Sequence, residues 1–285
     1  MYRTTFKEED FFKFQKTQFL TFLQNLSNFS YNNFFPNFSA EILTGIETIF
    51  KNLNLKLELI KTEKIITHKN YFYTLTAIKE ENINFYLPLI SLEFSLYPKN
   101  FINKINLKKI ILCDEILINN QTYRSGISDC DYEIQAMIYS TKEKNLKYIR
   151  NVIHHELFHY YYLSDKKFFE KNDFYWESFN PKNFVYNNNN NNDLLENEYL
   201  NLNSFVSEFS KKSLEEDKAE IYSFLITSGI DTNQIEKKGI LGKCLIIKKM
   251  LEDFDKEDFL IGKNDFWNRA ILFKKEICDF YYPII

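Results

Sequence analysis

The chain has 285 residues, of which 45% are hydrophobic and 26% are charged, and its formal net charge at pH 7 is −3. This hydrophobic fraction is ample for a buried core, and a nearly balanced charge without a long basic run argues against nucleic acid or an anionic membrane as partner. No stretch approaches about 18 uncharged apolar residues and the N-terminus lacks a secretory pattern, so we expect no transmembrane segment.

Four cysteines, at positions 113, 130, 244 and 278, are far apart and form no CxxC pair. Such spacing is typical of free thiols in a reducing compartment rather than of a disulfide framework or a zinc knuckle. We therefore expect a cytoplasmic protein, and the sequence leaves its oligomeric state open.

The N-terminal part of the chain predicts helix followed by strands. Residues 1–53 read as mostly helical, with Ser39 as the N-cap of a helix over 40–52. Alternating apolar residues predict three strands, at 54–62, 71–78 and 82–86, and the segment 88–96 is compatible with helix or strand. We assign residues 1–105 to a region of helices and strands that packs on a catalytic part, residues 106–285.

Two further strands are predicted before the middle of the chain. Lys108–Cys113 is a short apolar run that predicts a buried strand, and Gly126 lies in what reads as a polar loop. Tyr132–Ser140 alternates well and shortly precedes a helix. If this strand lies at the edge of a sheet beside that helix, it can bind an extended peptide through main-chain hydrogen bonds. The alternative is that it is an ordinary structural strand.

The segment Tyr148–Leu163 reads YIRNVIHHELFHYYYL and contains an HExxH motif. Residues four apart on a helix lie one turn apart on the same face, so His155 and His159 are spaced to bind one zinc ion. Glu156 lies beside them and is placed to take a proton from a water that the metal activates. Apolar residues at helical spacing predict the buried face of the helix: Ile153, Leu157 and Tyr160.

After this helix the chain is polar and aromatic, and Asn187–Asn192 is a run of six asparagines that predicts a surface loop. Ser213 and Glu216 have the spacing of a capping box at the start of a new helix. The remainder, residues 221–282, reads as several helices.

The third zinc ligand has two candidate sources. Asp165 lies six residues after His159, where HExxHxxGxxH/D peptidases carry theirs, but the glycine that this turn needs is replaced by Tyr162. The alternative is Glu216 or Glu220, because sites of two histidines and one glutamate take the glutamate from a second helix. A carboxylate one turn away then orients a ligating histidine. The two glutamates are the better choice.

Three separated segments carry a resemblance to a known family. HHELFH at 154–159, FVSEF at 205–209 and EDKAE at 216–220 resemble zinc-binding metallopeptidases of the gluzincin type, whose wider clan includes anthrax toxin lethal factor. The segment between the two halves of the site is similar to the family's WxxxNPxxFxY, with Trp176, Asn180, Pro181, Phe184 and Tyr186. The resemblance covers roughly residues 108–225.

The resemblance implies a role for each site residue. His155, His159 and Glu216 are the implied zinc ligands, Glu156 the general base, and Glu220 a carboxylate that supports the site without binding the metal. The implied fold is α+β and zincin-like, with an active-site helix, a small sheet and additional helices at both ends.

One position departs from the family pattern. Phe209 stands seven residues before Glu216, where the family tends to have tyrosine, and in enzymes similar to lethal factor that tyrosine helps to stabilise the oxyanion. Loss of one such donor costs on the order of 100-fold or more in rate. Three tyrosines are available to replace it: Tyr160, Tyr161 and Tyr222.

The sequence therefore predicts a zinc-dependent metalloendopeptidase that hydrolyses peptide bonds in a protein or peptide substrate. Two alternatives remain open: a zinc-loaded binding protein of weak or absent activity on a peptidase scaffold, and a metal-free helical interaction protein.

Overall fold

The computed structural model describes residues 40–68, 71–97, 99–129, 135–170, 173–186, 204–227 and 238–254. The helices predicted before residue 40, the N-cap Ser39, the asparagine run 187–192 and the helical segments predicted within 228–237 and 255–282 lie outside these residues.

Helices and strands alternate irregularly along the described chain, which confirms the predicted α+β class. The helices are α1 (Ala40–Leu53), α2 (Glu80–Ser95), α3 (Lys99–Lys104), α4 (Leu146–Ser164), α5 (Lys166–Glu170), α6 (Asp173–Glu177), α7 (Leu214–Thr227) and α8 (Lys238–Phe254). The strands are β1 (Lys56–Leu59), β2 (Lys64–His68), β3 (Tyr71–Leu75), β4 (Lys109–Cys113), β5 (Ile116–Ile118), β6 (Thr122–Arg124), β7 (Gly126–Asp129) and β8 (Ala136–Ser140).

The strands form two four-stranded sheets. The first has the order β1-β4-β8-β7, in which β1, β4 and β8 are parallel and β7 is antiparallel to β8. The second is antiparallel throughout, with the order β2-β3-β5-β6. Only Ser125 separates β6 from β7, so the chain crosses from the second sheet to the first at that residue.

The two central strands of the first sheet, β4 and β8, are buried on both faces. In β4, Ile110 and Leu112 pack into the larger core with the helices, whereas Ile111 and Cys113 pack into a smaller core with the second sheet. Successive side chains of a strand point to opposite faces, so a strand covered on both sides has no polar positions. This explains the continuous apolar run that predicted a buried strand here.

Several predicted elements are confirmed, and three are corrected. Helix α1 and strands β1, β3 and β4 lie where the sequence predicts them. The strand predicted at 82–86 is wrong because these residues belong to α2. Its buried residues, among them Tyr86, Ile90 and Phe94, recur four residues apart, and this helical period outweighs the short alternation.

The other two corrections concern the strands next to α4. Gly126 is the first residue of β7 and not part of a polar loop. The strand predicted at 132–140 is β8, which begins at Ala136 and is internal to the sheet, and residues 130–134 lie outside the described part. Strand β7 is the edge strand that contacts α4, as the hydrogen-bond order of the sheet requires.

A chain of buried hydrogen bonds fixes the orientation of α4. His154 is fully buried, and its Nε2 lies 2.7 Å from Glu93 Oε2 while its Nδ1 lies 2.6 Å from the Tyr97 hydroxyl. Tyr222 donates to Tyr97, and Arg150 binds both oxygens of Glu93. His154, the first histidine of the HHELFH segment, therefore belongs to the core and ties α4 to α2 and α7.

The charges of this network follow from its surroundings. Burial raises the pKa of Glu93, but the Arg150 guanidinium and the His154 hydrogen bond outweigh it and hold that pKa at about 2. Burial lowers the pKa of His154. The network therefore contains one buried ion pair and a neutral imidazole that donates from Nε2 and accepts at Nδ1.

In the part of the chain that the structure describes, no helix is long and apolar enough to cross a membrane. The division of the chain near residue 105 stays a prediction, and β1 pairs with β4 across it.

We expect Glu93→Gln to destabilise the protein by about 3–5 kcal/mol, because it leaves the buried Arg150 without its counter-charge. Urea unfolding at neutral pH measures this difference. Glu63→Gln, at an exposed position before β2, is the matched control and should change the free energy of unfolding by less than about 0.5 kcal/mol. Equal unfolding midpoints for the two variants would contradict the role of the Glu93 network.

Candidate metal centre

Helix α4 presents two imidazoles toward one point. It begins at the N-cap Asn145, whose side chain accepts a hydrogen bond from the Tyr148 amide, and it continues through the whole HExxH motif. The Nε2 atoms of His155 and His159 lie 3.0 Å apart, as expected for residues one turn apart on one helical face.

Helix α7 brings a carboxylate to the same point. Glu216 Oε2 lies 2.9 Å from His155 Nε2 and 3.2 Å from His159 Nε2. Ser213 Oγ accepts from the Glu216 amide and caps α7, as predicted. The second hydrogen bond of a capping box would join the Glu216 carboxylate to the Ser213 amide. It does not form, because the Glu216 side chain points toward the histidines.

A second pair of carboxylates lies behind the imidazoles. His155 Nδ1 is 2.9 Å from Glu220 Oε1, and His159 Nδ1 is 2.9 Å from Glu215 Oε1. An Nδ1–H that donates to a carboxylate leaves the lone pair on Nε2, so both imidazoles can offer this atom to a metal. Glu220 is also held by Ser207, whose hydroxyl donates to its Oε2 at 2.6 Å.

The three donors fit a zinc ion. Ligand atoms about 2.0–2.1 Å from a tetrahedral zinc lie roughly 3.3 Å from one another. The three separations among His155, His159 and Glu216 are 2.9, 3.0 and 3.2 Å, close to that spacing. Two histidines and one glutamate are also a donor set of catalytic zinc sites, in which the fourth position stays open.

Asp165, the other candidate for a third ligand, lies at the C-terminal end of α4. It is the exposed C-cap residue of that helix. Among the described residues, the group of His, Cys, Asp and Glu side chains whose donor atoms approach within 4.8 Å of one another consists of His155, His159 and Glu216. The structure thus brings together the three residues that the family resemblance implies, and their roles as ligands stay a prediction.

The electrostatics of the centre favour positive charge. Burial lowers the pKa of His155, but hydrogen bonds to Glu216 and Glu220 outweigh it and raise the pKa to about 9. Burial likewise opposes a charge on His159, and the bonds to Glu215 and Glu216 raise its pKa to about 10. The pKa of Glu216 is lowered: burial raises it, and the two histidines more than compensate. A cation at this point is therefore stabilised by the surrounding carboxylates, and a metal that binds here displaces protons.

Asp217, which follows Glu216 in α7, holds this helix in place. Its Oδ2 accepts hydrogen bonds from Trp176 at 2.8 Å, from Tyr186 at 2.7 Å and from Lys243 at 2.6 Å. Asn180 in turn donates to Tyr186 at 3.0 Å. The WxxxNPxxFxY segment thus has a physical role, because its aromatic side chains bind the residue next to Glu216.

The centre lies in a cleft of about 920 Å³ between α4, α7 and the edge strand β7. Glu156 lines this cleft beside the histidines. Gly126 of β7 lies against it, since a Cβ added at Gly126 would lie 2.7 Å from Glu156 Cγ and 2.8 Å from Val152 Cγ1. Any larger residue at Gly126 would therefore displace the proposed base.

Phe209 also lines the cleft, and its ring centroid lies 5.7 Å from that of His155. The three tyrosines suggested as replacements for the family tyrosine are buried in the core and not in the cleft lining: Tyr160, Tyr161 and Tyr222. That suggestion was wrong, because all three lie on the faces of α4 and α7 that pack against other elements.

Sequence reasoning missed three residues of the site. Glu215 directly precedes the predicted ligand, and nothing in the sequence distinguished it as a partner of His159. Gly126 was read as a loop residue, although a glycine before an alternating segment can mark a close backbone approach. Lys212, which lines the cleft three residues after Phe209, gave no signal by itself.

Comparison with known proteins supplies the family. Neither the curated proteins nor the solved structures include a significant match to the chain. The model of the family described as "Putative zinc-binding metallo-peptidase" matches residues 62–261, which is more than half of the chain and includes the whole candidate centre. The chain therefore belongs to this metallopeptidase family.

Proposed function

We propose that this protein is a zinc-dependent metallopeptidase whose metal is held by His155, His159 and Glu216. The observation that carries the proposal is the set of three donor atoms within 2.9–3.2 Å of one another, with a carboxylate behind each imidazole. Family membership supports the same function. The site is of the gluzincin type in this proposal, because its glutamate comes from a second helix, as in proteins similar to lethal factor.

The chemistry divides between the metal and the side chains. A zinc ion held at this centre supplies Lewis acidity, which lowers the pKa of water to about 7 and polarises a carbonyl. Glu156 accepts a proton from the attacking water and delivers it to the leaving amine. The edge strand β7, whose residues Gly126, Ile127 and Ser128 line the cleft, binds an extended peptide through main-chain hydrogen bonds.

We also propose that residues 1–105 form a region of helices and strands that packs on the catalytic part, residues 106–285. The separated cysteines support the further proposal of a reducing, cytoplasmic location.

The first functional prediction concerns the third ligand. Purified wild-type protein should contain one zinc per chain, and Glu216→Ala should lower zinc affinity by more than roughly 100-fold, beyond the usual effect of a residue that only orients a ligand. Asp165→Ala is the control and should leave the affinity unchanged. Chelator competition measures the affinities, and elemental analysis gives the zinc content.

His155→Ala and His159→Ala should each remove most of the metal while the circular dichroism of the protein stays unchanged, because the core face of α4 is untouched. A wild-type protein that cannot be loaded with zinc would contradict the proposal. So would loss of zinc in Asp165→Ala with full retention in Glu216→Ala.

The second prediction separates the two carboxylates that orient the imidazoles. Glu220→Ala should weaken zinc binding by roughly 10–100-fold, because it removes the buried partner of His155. Glu215→Ala should have a smaller effect, since the Glu215 side chain is 37% exposed and water can replace it. Both affinities are measured by chelator competition, and a Glu220→Ala effect as large as that of Glu216→Ala would show that the ligand and its support were assigned in the wrong order.

A zinc-loaded binding protein without turnover is the second candidate function, and Phe209 is the observation that favours it. Phe209 packs against His155 and has no hydroxyl group that could stabilise the oxyanion. This candidate keeps the metal and the cleft, and it predicts peptide binding without hydrolysis.

The third prediction distinguishes these two functions. Zinc-loaded protein should hydrolyse an unfolded substrate such as reduced, alkylated casein, and Glu156→Gln should lower the rate by roughly 10²–10⁴-fold because the proton acceptor is lost. Zinc content should stay the same, since Glu156 is not a proposed ligand. Casein binding without hydrolysis by the zinc-loaded wild type, or a rate that Glu156→Gln does not change, would support the binding protein instead.

A further inference from the structure

The cleft lacks one chemical group that peptide hydrolysis needs. The tetrahedral intermediate carries a negative oxygen, and removing one hydrogen-bond donor to this oxygen typically costs on the order of 10²–10³-fold in rate. Phe209 has no hydroxyl to donate. If the protein hydrolyses peptides as proposed, another donor that lines the cleft must act in place of the tyrosine.

Most hydroxyl groups near the centre already have partners. Ser207 donates to Glu220, and the Ser213 oxygen accepts from the Glu216 amide, which holds this hydroxyl at the first turn of α7. Tyr148 and Ser125 share a hydrogen bond of 3.0 Å near the β6–β7 junction. Among the described residues that line the cleft, Arg124 and Lys212 carry the permanent positive charges, and they belong to different elements.

Lys212 contacts the aromatic ring that packs against His155, one of the proposed ligands. Its Nζ is 4.0 Å from the centroid of the Phe209 ring, and that ring packs edge-to-face against His155 at 5.7 Å. Arg124 also lines the cleft and belongs to β6, the last strand of the second sheet. The contact through the Phe209 ring connects Lys212 to His155 and therefore favours Lys212 as the donor.

The cation–π contact between Lys212 and Phe209 positions the ammonium group over the ring, and it is weak enough for the ammonium to leave the ring. A cation over the face of an exposed aromatic ring is held only weakly, because water competes for it. Phe209 is 38% exposed, so this contact is of the weak kind. The lysine side chain is a flexible four-carbon chain, so Nζ can leave the ring face without a change in the backbone.

We propose that the Lys212 ammonium is the oxyanion donor of this enzyme and takes the place of the family's tyrosine hydroxyl. This inference rests on the proposed peptidase function. Lys212 donates a hydrogen bond and transfers no proton, while the proton of the attacking water passes through Glu156 to the leaving amine. The phenyl ring of Phe209 holds the ammonium in the cleft between turnovers.

The test uses the binding of a tetrahedral anion and does not depend on turnover. Calorimetry measures the Kd of a capped phosphinic tetrapeptide, Ala-Phe-Leu-Ala with a phosphinate in place of the central amide, and of the same peptide with a plain amide. Zinc-loaded Lys212→Met should bind the phosphinic peptide at least about 10-fold more weakly than wild type, as loss of an oxyanion donor requires. Its affinity for zinc and for the amide peptide, the latter measured in a Glu156→Gln background, should not change.

Three further variants make the assignment specific. Lys212→Arg should retain most of the affinity for the phosphinic peptide, because it keeps a cationic donor. Arg124→Met removes the other cation of the cleft and should have a much smaller effect than Lys212→Met. Adding Phe209→Tyr to Lys212→Met should restore phosphinic peptide binding and casein hydrolysis, because it supplies the missing hydroxyl.

Equal affinity of wild type and Lys212→Met for the phosphinic peptide would overturn the inference while leaving the peptidase function intact. An equal loss in Arg124→Met would replace it with a general effect of positive charge in the cleft. Wild-type protein that binds the phosphinic and amide peptides equally well would also contradict it. Protein that binds no zinc would refute the proposed function itself.

Discussion

The candidate centre depends on the contact between α4 and α7, where polar side chains are buried and every imidazole has a carboxylate partner. A buried polar group without a partner costs a few kcal/mol, so this contact is stable only when the two helices keep their relative position. His155 lies between Glu216 and Glu220, and each of these glutamates comes from α7. Asp217, bound by Lys243 in the core, fixes α7 from behind. The packing that stabilises the fold thus also sets the geometry of the donor atoms.

The same contact explains how much of the site the sequence could predict. HExxH fixes its own geometry, because residues four apart on a helix always share a face. Glu216 and Glu220 required the family resemblance to order them, since spacing alone gives both glutamates the same helical face. Gly126 and the internal position of β8 were not predictable in this way, because strand order depends on hydrogen bonds between segments far apart in the sequence. Helix α2 was partly misread because a short alternation masked a longer helical period.

The proposed metal binding and the proposed bond cleavage depend on different parts of this molecule. The donors, their supporting carboxylates and the proposed base all lie within or beside the α4–α7 contact. The part of the cleft where we propose that the oxyanion is bound lies on another element, the 3₁₀ turn Phe209–Lys211 that precedes α7. Phe209 contacts the His155 ring but contributes no donor atom to the candidate centre. Lys212, at the end of the same turn, is the donor that we propose in place of a tyrosine hydroxyl.

The central claim is the identity of the three ligands, and zinc K-edge X-ray absorption of the protein loaded with one equivalent of zinc tests it most directly. The account predicts only nitrogen and oxygen neighbours at about 2.0–2.1 Å, with the multiple-scattering signature of two imidazoles. In a Glu216→Ala variant loaded in the same way, both imidazoles should remain while the oxygen shell changes. A sulfur neighbour near about 2.3 Å, or fewer than two imidazoles in the wild type, would contradict it.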